Sequence, residues 1–380
     1  MGESRTAEAR GFVPHVRGLE RDPDHLRTVI EPWLAAHRPE IADLTLGEIS
    51  APSGAGVANE TVMFDAQWTE QGETRTGGYV VRIATEDSLY YDADIELHYK
   101  AYAALADVPG VPVPTVYGFE HDPSALGARF FVMERIDGLI PADRPFYTEE
   151  GFVADATEEQ RARLWRSAVQ VMAAFHQADP TKFAFLQRPE LGKTGLEQDL
   201  AYWLRYNERA LAGRQHPTLV PAAQWLVDNL PDDRPTSQAW GDARVCNMIF
   251  QDFTCVGMLD WDGLSLAGPE SDLAWWIVME DIGGNRVELP GLGSFDELIE
   301  YWQQLTGQQV RNLRYHVAYA LFRLGAIVIR LNDQMLAAGH LPPGTDISSN
   351  AHTIQQLAQL LDLPTPGPIT CPVPKVSGIT

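Results

Sequence analysis

Alternating apolar and polar side chains predict a β-sheet in the first third of the chain. After a helical pattern over residues 24–37, residues 44–68 indicate two strands on either side of a glycine-containing turn. The second of these strands alternates cleanly from Val62 to Trp68. Further strands are expected at 79–83, 113–119 and 130–133, and a helix at 92–105. This pattern is typical of an antiparallel sheet with one inserted helix.

Beyond residue 138 the spacing of apolar residues changes to the helical period. A capping box of Thr157 and Gln160 precedes a helix whose apolar face contains Leu164, Ala168 and Phe175. Helices are also predicted at 195–212, 222–229, 295–305, 312–338 and 351–361, and short strands at 248–250 and 255–259. We therefore expect a sheet-rich lobe (1–137), a helical lobe (138–362) and a proline-rich tail (363–380), which cannot hold a helix or a central strand.

The charge balance narrows the classes of partner. The chain has 52 acidic and 29 basic side chains and a formal charge of −23, which argues against a general nucleic-acid binder. The longest apolar run, 273–279, is far shorter than the roughly 20 residues of a membrane span. Residues 1–10 are polar and lack the apolar segment of a secretory signal. The expectation is a cytoplasmic protein without a membrane span.

Cysteine and histidine usage limits the metal chemistry. The three cysteines include no CxxC pair, and the ten histidines include no HExxH motif. A metal site would then be built from Asp and Asn oxygens, which suit Mg²⁺.

The sharpest signal for chemistry is the segment that runs from Trp240 to Asn247, followed by a hairpin and the acidic segment 259–262. Phosphoryl transfer needs a carboxylate beside the acceptor hydroxyl, and an amide with a second carboxylate to hold magnesium on the phosphates. Asp242 and Asn247 are five residues apart, and the hairpin can return Asp260 to Asn247 so that both ligate one cation.

In this segment the chain resembles the aminoglycoside phosphotransferase and choline kinase-like family, whose signature is HGDxxxxN followed by an (I/L)DWE-type segment. Residues 133–138 look like the family's inter-lobe linker, Phe175 and His176 like its LH helix end, and 268–275 like its GDPxxDLA stretch. The WGDAR form is closest to actinobacterial, including mycobacterial, members. The resemblance implies an α+β, two-lobed protein-kinase-like fold with a small antiparallel-sheet N-lobe and a larger, mainly helical C-lobe.

The resemblance also implies roles for the residues around the hairpin. Asp242 would orient the acceptor hydroxyl and accept its proton, and Asn247 and Asp260 would ligate Mg²⁺. Arg244 would bind the moving phosphoryl group, or else pair with a carboxylate such as Asp262 or Asp272 to hold the loop. Trp240 stands where the family has a histidine that braces the loop, which puts this bracing in doubt.

On the nucleotide side, Arg82 occupies the position of the kinase lysine that binds the inner phosphates. Its helix partner would be Glu96, although the family register falls on His98. The loop that closes over the phosphates would be Ser53, Gly54, Ala55 and Gly56, and the linker groups that bind the adenine edge would be those of Met133, Glu134 and Ile136. A Rossmann site is excluded because a strand follows this turn, and a Walker A site because its lysine is missing.

Other conspicuous residues are expected to be structural. His176 would have a structural role, matching its place in the family, and Asp272 would brace the catalytic loop from behind. The pair Trp275 and Trp276 would belong to the core. Nothing indicates that Cys246 is a nucleophile.

The function implied is transfer of the γ-phosphate of ATP, with GTP as an alternative, to a hydroxyl of a small molecule. The acidic balance favours a cationic acceptor such as an aminoglycoside through electrostatic steering. Two alternatives stay open. One is a kinase for a choline-like, macrolide, amino-acid or sugar acceptor, and the other is a nucleotide-binding pseudokinase module.

Overall fold

The chain folds into two compact units. The computed structural model describes residues 19–52, 59–85, 88–232, 236–281 and 287–379. Unit 1 comprises Met1–Tyr99 with Pro114–Arg135, and unit 2 comprises Lys100–Val113 with Ile136–Thr380.

Unit 1 contains an antiparallel five-stranded sheet in the order β1-β2-β3-β5-β4. The hairpin between β2 and β3 turns through Gln71 and Gly72, both with positive φ, which is the two-residue geometry that matches strand twist. The strands are β1 (Ile41–Leu46), β2 (Glu60–Glu70), β3 (Glu73–Ile83), β4 (Val116–Glu120) and β5 (Phe130–Glu134). The predicted antiparallel sheet is therefore present.

Helix α1 (Pro23–His37) packs on this sheet. It begins where the Asp22 side chain accepts hydrogen bonds from the first turn. Leu26, Ile30 and Leu34 repeat every four residues, so they share one face, and all three are fully buried in the core of unit 1. Replacing Ile30 by alanine would cost about 2–5 kcal/mol, the usual range for a buried large-to-small change.

Unit 2 is mainly helical. The predicted capping box at the start of α3 (Glu158–His176) is present, with Thr157 and Gln160 each bonded to the other's backbone N–H. The 25-residue α8 (Leu313–Ala337) packs against four other helices. The remaining helices are α2 (Ile95–Leu105), which runs from unit 1 into unit 2, α4 (Gly195–Leu211), α5 (Leu219–Asp228), α6 (Pro269–Glu280), α7 (Phe295–Thr306) and α9 (His352–Leu361). Among these described helices, none combines the length and the apolar character of a transmembrane span.

A short hairpin in unit 2 positions the site. It joins β6 (Met248–Gln251) to β7 (Thr254–Met258) through Asp252 and Phe253, which both have positive φ. At its open end the N–H of Leu259 donates to the carbonyl oxygen of Asn247 at 2.9 Å. The hairpin thus brings the two motif segments side by side, as the sequence predicts.

The proline-rich segment after residue 362 forms neither helix nor strand as far as it is described, in agreement with its composition. It lies against α9, whose glutamine side chains satisfy its backbone. Gln359 donates to the carbonyl of Cys371 at 2.7 Å, and Gln355 accepts from the N–H of Thr370 at 2.7 Å. Because proline cannot donate, these side-chain contacts replace the backbone pairing of a regular element.

Candidate active site

The loop that carries Asp242 begins with a close approach of two glycines. Gly241 has a φ of +90°, and a Cβ there would lie 1.8 Å from the carbonyl oxygen of Gly263. Only glycine fits both the backbone conformation and the space. The loop is consequently pressed against the segment that follows Asp262.

Three described side chains donate to the carboxylate of Asp242. The Trp275 indole N–H lies 2.6 Å from Oδ1 and the Asn247 amide N lies 2.8 Å from Oδ2. The Arg244 Nε lies 3.2 Å from Oδ1 and 3.3 Å from Oδ2. The Asp242 side chain is 14% exposed, so it is held in one orientation and still reachable.

Asn247 and Asp260 present oxygen atoms suited to a hard cation. The Asn247 amide nitrogen also donates to the backbone carbonyl of Asp242 at 3.0 Å, so these bonds engage the nitrogen and not the amide oxygen. A carboxylate oxygen of Asp260 lies within 4.8 Å of one from Asp262. An amide oxygen with carboxylates is the donor set that Mg²⁺ prefers, so these residues fit the implied ion.

Arg244 forms an ion pair with Asp143 and a longer one with Asp242. The loop-holding partners suggested from sequence were Asp262 or Asp272, and the structure gives Asp143 and Asp242 in their place. Burial opposes the guanidinium charge, but the carboxylates of Asp242 and Asp143 outweigh it and raise the pKa of Arg244. The guanidinium is thus a fixed cation beside the carboxylate of Asp242.

A buried chain of hydrogen bonds supports the loop from behind. Asp272, at the start of α6, accepts the backbone N–H groups of Trp240 at 2.6 Å and Gly241 at 2.7 Å. His176 Nε2 lies 2.8 Å from the same carboxylate, and the Trp302 indole N–H donates to His176 Nδ1 at 2.9 Å. Since the indole can only donate, His176 must donate from Nε2 to Asp272. His176 therefore braces the loop.

Trp240 supplies the bracing that its sequence position put in doubt. Its indole N–H lies 2.9 Å from the carbonyl oxygen of Leu259 and 2.7 Å from that of Asp260. The side chain is fully buried. Tryptophan in this position thus ties the catalytic loop to the acidic segment.

Of the nucleotide-side residues predicted from sequence that are described, Arg82, Glu96, Met133 and Glu134 belong to unit 1, and Ile136 belongs to unit 2. Arg82 donates to Thr61 Oγ1 at 3.0 Å, and Glu96 lies 3.7 Å from the guanidinium of Arg129. The pairing of Arg82 with Glu96 stays a prediction, as does the alternative with His98. Ser53, Gly54, Ala55 and Gly56 lie outside the described residues.

The linker follows directly from β5. Met133 is buried in the sheet, and the N–H of Glu134 donates to the carbonyl of Thr115 at 2.8 Å. That N–H is therefore already paired within unit 1, and the adenine contacts expected of Met133, Glu134 and Ile136 stay a prediction.

Sequence reasoning missed three residues around Asp242. Trp275 was expected to be core, yet its indole donates to Asp242, and Asp143 was not singled out. Arg323 is buried and donates to the carbonyl oxygen of Gly241 at 3.0 Å. A charged residue in the otherwise apolar stretch 317–329 was the signal available for Arg323.

Comparison with known proteins identifies the class. The model of the phosphotransferase enzyme family matches residues 55–313, and the chain belongs to this family. A crystal structure of a "putative aminoglycoside phosphotransferase" from Ralstonia eutropha has a TM-score of 0.61 at 21% identity and covers 90% of this chain and 94% of its own. The predicted family and the α+β protein-kinase-like fold class are confirmed.

The curated relatives have a different kind of name. The chain is 25% identical over 329 residues to acyl-CoA dehydrogenase family member 11 of Pongo abelii, and 25% identical over 328 residues to the Homo sapiens protein of that name. Each match covers 81% of this chain but only 41% and 40% of the relative. The chain therefore spans about two fifths of the length of these relatives.

Proposed function

We propose that the protein is an ATP-dependent phosphotransferase that moves the γ-phosphate to a hydroxyl group of a small molecule. The observation that carries the proposal is the carboxylate of Asp242, which three side chains hold in one orientation: Trp275, Asn247 and Arg244. In the same site Asn247 and Asp260 offer oxygen atoms that suit Mg²⁺. Membership of the phosphotransferase enzyme family supports it.

In the proposed reaction, Asp242 accepts a hydrogen bond from the acceptor hydroxyl and takes its proton as the oxygen attacks the γ-phosphorus. The bond from phosphorus to the bridging oxygen breaks, and ADP leaves. Asn247 and Asp260 would hold Mg²⁺, which would neutralise negative charge on the phosphates. Arg244 stabilises charge on the transferring group, since its guanidinium is fixed beside Asp242.

The nucleotide contacts belong to the same proposal. Arg82 would bind the inner phosphates, with Glu96 as its partner. The adenine would meet the backbone of the linker, and the turn at 53–56 would cover the phosphates. These roles rest on the family resemblance. GTP remains an alternative donor.

Two acceptor classes follow from two separate observations. The formal charge of −23 favours a cationic, hydroxylated acceptor such as an aminoglycoside. The names of the curated relatives favour a second class of acceptor, an acyl-CoA that bears a hydroxyl group. In these relatives the matched part belongs to a longer protein whose name is acyl-CoA dehydrogenase family member 11. An acyl-CoA is anionic, so its binding would have to overcome the overall charge.

The deciding experiment is a screen of both classes for ATP-dependent addition of one phosphate, read by mass spectrometry. The panel contains aminoglycosides, choline-like amines, sugars, and acyl-CoA thioesters with and without a hydroxyl group. Asp242→Ala serves as the inactive control. A higher salt concentration should weaken the binding of a cationic acceptor, because screening reduces its attraction to the acidic protein. It should strengthen the binding of an anionic acceptor, because screening reduces the repulsion. Tight Mg·ATP binding without transfer to any compound would favour the pseudokinase alternative.

A further inference from the structure

Trp275 makes the shortest described contact to the proposed catalytic carboxylate. Its indole N–H lies 2.6 Å from Oδ1 of Asp242, and the ring is 3% exposed. An indole nitrogen can donate but cannot accept, so this bond needs a lone pair of Asp242. Because nearly every residue of α6 is buried, packing holds the donor in direction as well as in distance.

The three donors divide the two carboxylate oxygens between them. Trp275 binds Oδ1, Asn247 binds Oδ2, and the longer contacts of Arg244 reach both. A carboxylate oxygen has about two lone-pair directions. The Arg244 Nε has one hydrogen, and its hydrogen bond goes to Oδ2. Trp275 therefore takes one of the two directions on Oδ1 and leaves the other for an acceptor hydroxyl.

Arg323 holds the Trp275 ring from behind. Its guanidinium carbon lies 4.5 Å from the Trp275 ring centroid and 4.7 Å from that of Trp203, and Nη2 donates to the Gly241 carbonyl at 3.0 Å. Among the described residues the buried Nε finds no hydrogen-bond partner, so the aromatic faces supply part of the stabilisation of this cation. Arg323 thus links the ring of Trp275 to the loop that carries Asp242.

A buried acid lies behind Arg323. Asp199 on α4 accepts a hydrogen bond from the Tyr319 hydroxyl at 2.8 Å. Burial raises the pKa of the Asp199 carboxyl, and the nearby Arg323 guanidinium opposes part of that shift. The support of the Trp275 ring therefore extends from α6 through α8 to α4.

A purely structural role for Trp275 is the competing explanation. Its neighbour Trp276 allows the two to be separated, because it lies on the same helix and is 2% exposed. In the described part of the chain, the Trp276 indole makes no hydrogen bond to the catalytic loop. An apolar ring would satisfy packing at either position, whereas only Trp275 delivers a donor to Asp242.

We propose that Trp275 is a positioning residue for phosphoryl transfer, and that Arg323 fixes it in place. The inference rests on the proposed function. Trp275 sets the direction of the Asp242 lone pair that meets the acceptor, and it does not hold ATP. Its loss should therefore slow the chemical step and leave the binding of Mg·ATP unchanged.

Paired substitutions of the two tryptophans test this. Trp275→Phe removes the N–H and keeps an aromatic ring against Arg323, and Trp276→Phe is the matched control. We expect Trp275→Phe to lower kcat by about 10- to 100-fold, the worth of a hydrogen bond to a charged group, with KM for ATP within about threefold. Trp276→Phe should keep the wild-type kcat, and both variants should have similar melting temperatures. Wild-type turnover in Trp275→Phe, or an equal loss in Trp276→Phe, would overturn the proposal.

A second measurement does not depend on turnover. In protein labelled with ¹⁵N at the indole nitrogens, the Trp275 resonance, assigned from its absence in Trp275→Phe, should shift when Asp242→Ala removes its acceptor. The Trp276 resonance should stay in place. An unshifted Trp275 resonance would show that the contact is absent. If the Trp275 resonance shifts but the wild-type protein transfers phosphate to no acceptor, the contact is present and the proposed function is wrong.

Discussion

The indole nitrogen of Trp240 lies 2.7 Å from the backbone carbonyl oxygen of Asp260. Asp260 has a φ of +63°, a left-handed conformation that residues other than glycine rarely adopt without support. Trp240 also bonds the preceding carbonyl, that of Leu259. One buried side chain thus stabilises the backbone turn that presents the proposed magnesium ligand.

Trp240→Phe should destabilise the protein and weaken the metal site together. The change removes the indole donor of two partly buried carbonyl groups, which costs about 1–3 kcal/mol in the free energy of unfolding. Trp240→His should recover part of the loss, because a ring N–H is restored. Denaturant unfolding measures stability, and magnesium titration of ATP binding measures the site. Trp276→Phe is the control, and equal unfolding midpoints for it and Trp240→Phe would refute the bracing role.

Alanine substitutions of Asp242 and Asp260 should have different effects on transfer and on nucleotide binding. Asp242→Ala is expected to abolish transfer and leave ATP affinity within a few fold, since Asp242 is assigned to the acceptor. Asp260→Ala should weaken Mg·ATP binding itself, because a direct charge contact to the cation is lost. Calorimetric titration with Mg·ATP, beside single-turnover rates, tells them apart. Unchanged magnesium dependence in Asp260→Ala would mean that the metal site lies elsewhere.

Arg244→Ala should lower turnover on the order of 10³-fold, by analogy with arginines that stabilise phosphoryl transfer, and Arg244→Lys should recover part of it. The loss of the Asp143 ion pair should itself lower the melting temperature little, because Asp143 is half exposed and such pairs contribute weakly. Asp143→Ala is the control, since it removes the ion pair but keeps the guanidinium. If Asp143→Ala slows turnover as much as Arg244→Ala does, the loss of turnover comes from the broken ion pair and not from a lost phosphate contact.

The three thiols should be unreactive in the native protein. Burial raises the pKa of Cys255 to about 12 and that of Cys371 to about 11, and burial with the nearby Asp143 carboxylate raises the pKa of Cys246 well above its ordinary value. A raised pKa keeps a thiol protonated, so almost no thiolate exists at about pH 8. A disulfide reagent should label three thiols after denaturation and none within minutes before it. Rapid native labelling of Cys246 would contradict its burial.

Sequence patterns predicted those parts of the fold whose signals are local. The capping box at Thr157 and the strand alternation from Val62 depend on neighbouring residues, and both predictions are confirmed. Helix α6 was not predicted, because nearly every side chain in it is buried and no polar face interrupts the apolar run 273–279.

The same distinction applies to the candidate site. The spacing of Asp242 and Asn247 is visible in one short segment, so these residues were found from sequence. The contacts of Asp242 with Trp275 and of Arg244 with Asp143 join residues 33 and 101 positions apart. No periodicity or motif encodes such a contact, since it depends on how the helices pack around the loop.

Asp272 and Trp275 lie three residues apart on α6, so they project from one face of that helix. The first bonds the backbone of the catalytic loop and the second bonds its carboxylate. Helix α6 therefore positions both the backbone of this loop and the side chain of Asp242, and a movement of α6 would displace both together. Attempts to redirect the protein to new acceptors should leave α6 and its contacts with α8 intact. Exposed side chains such as Leu139 and Ile140, which are about half accessible, can be varied without disturbing these contacts.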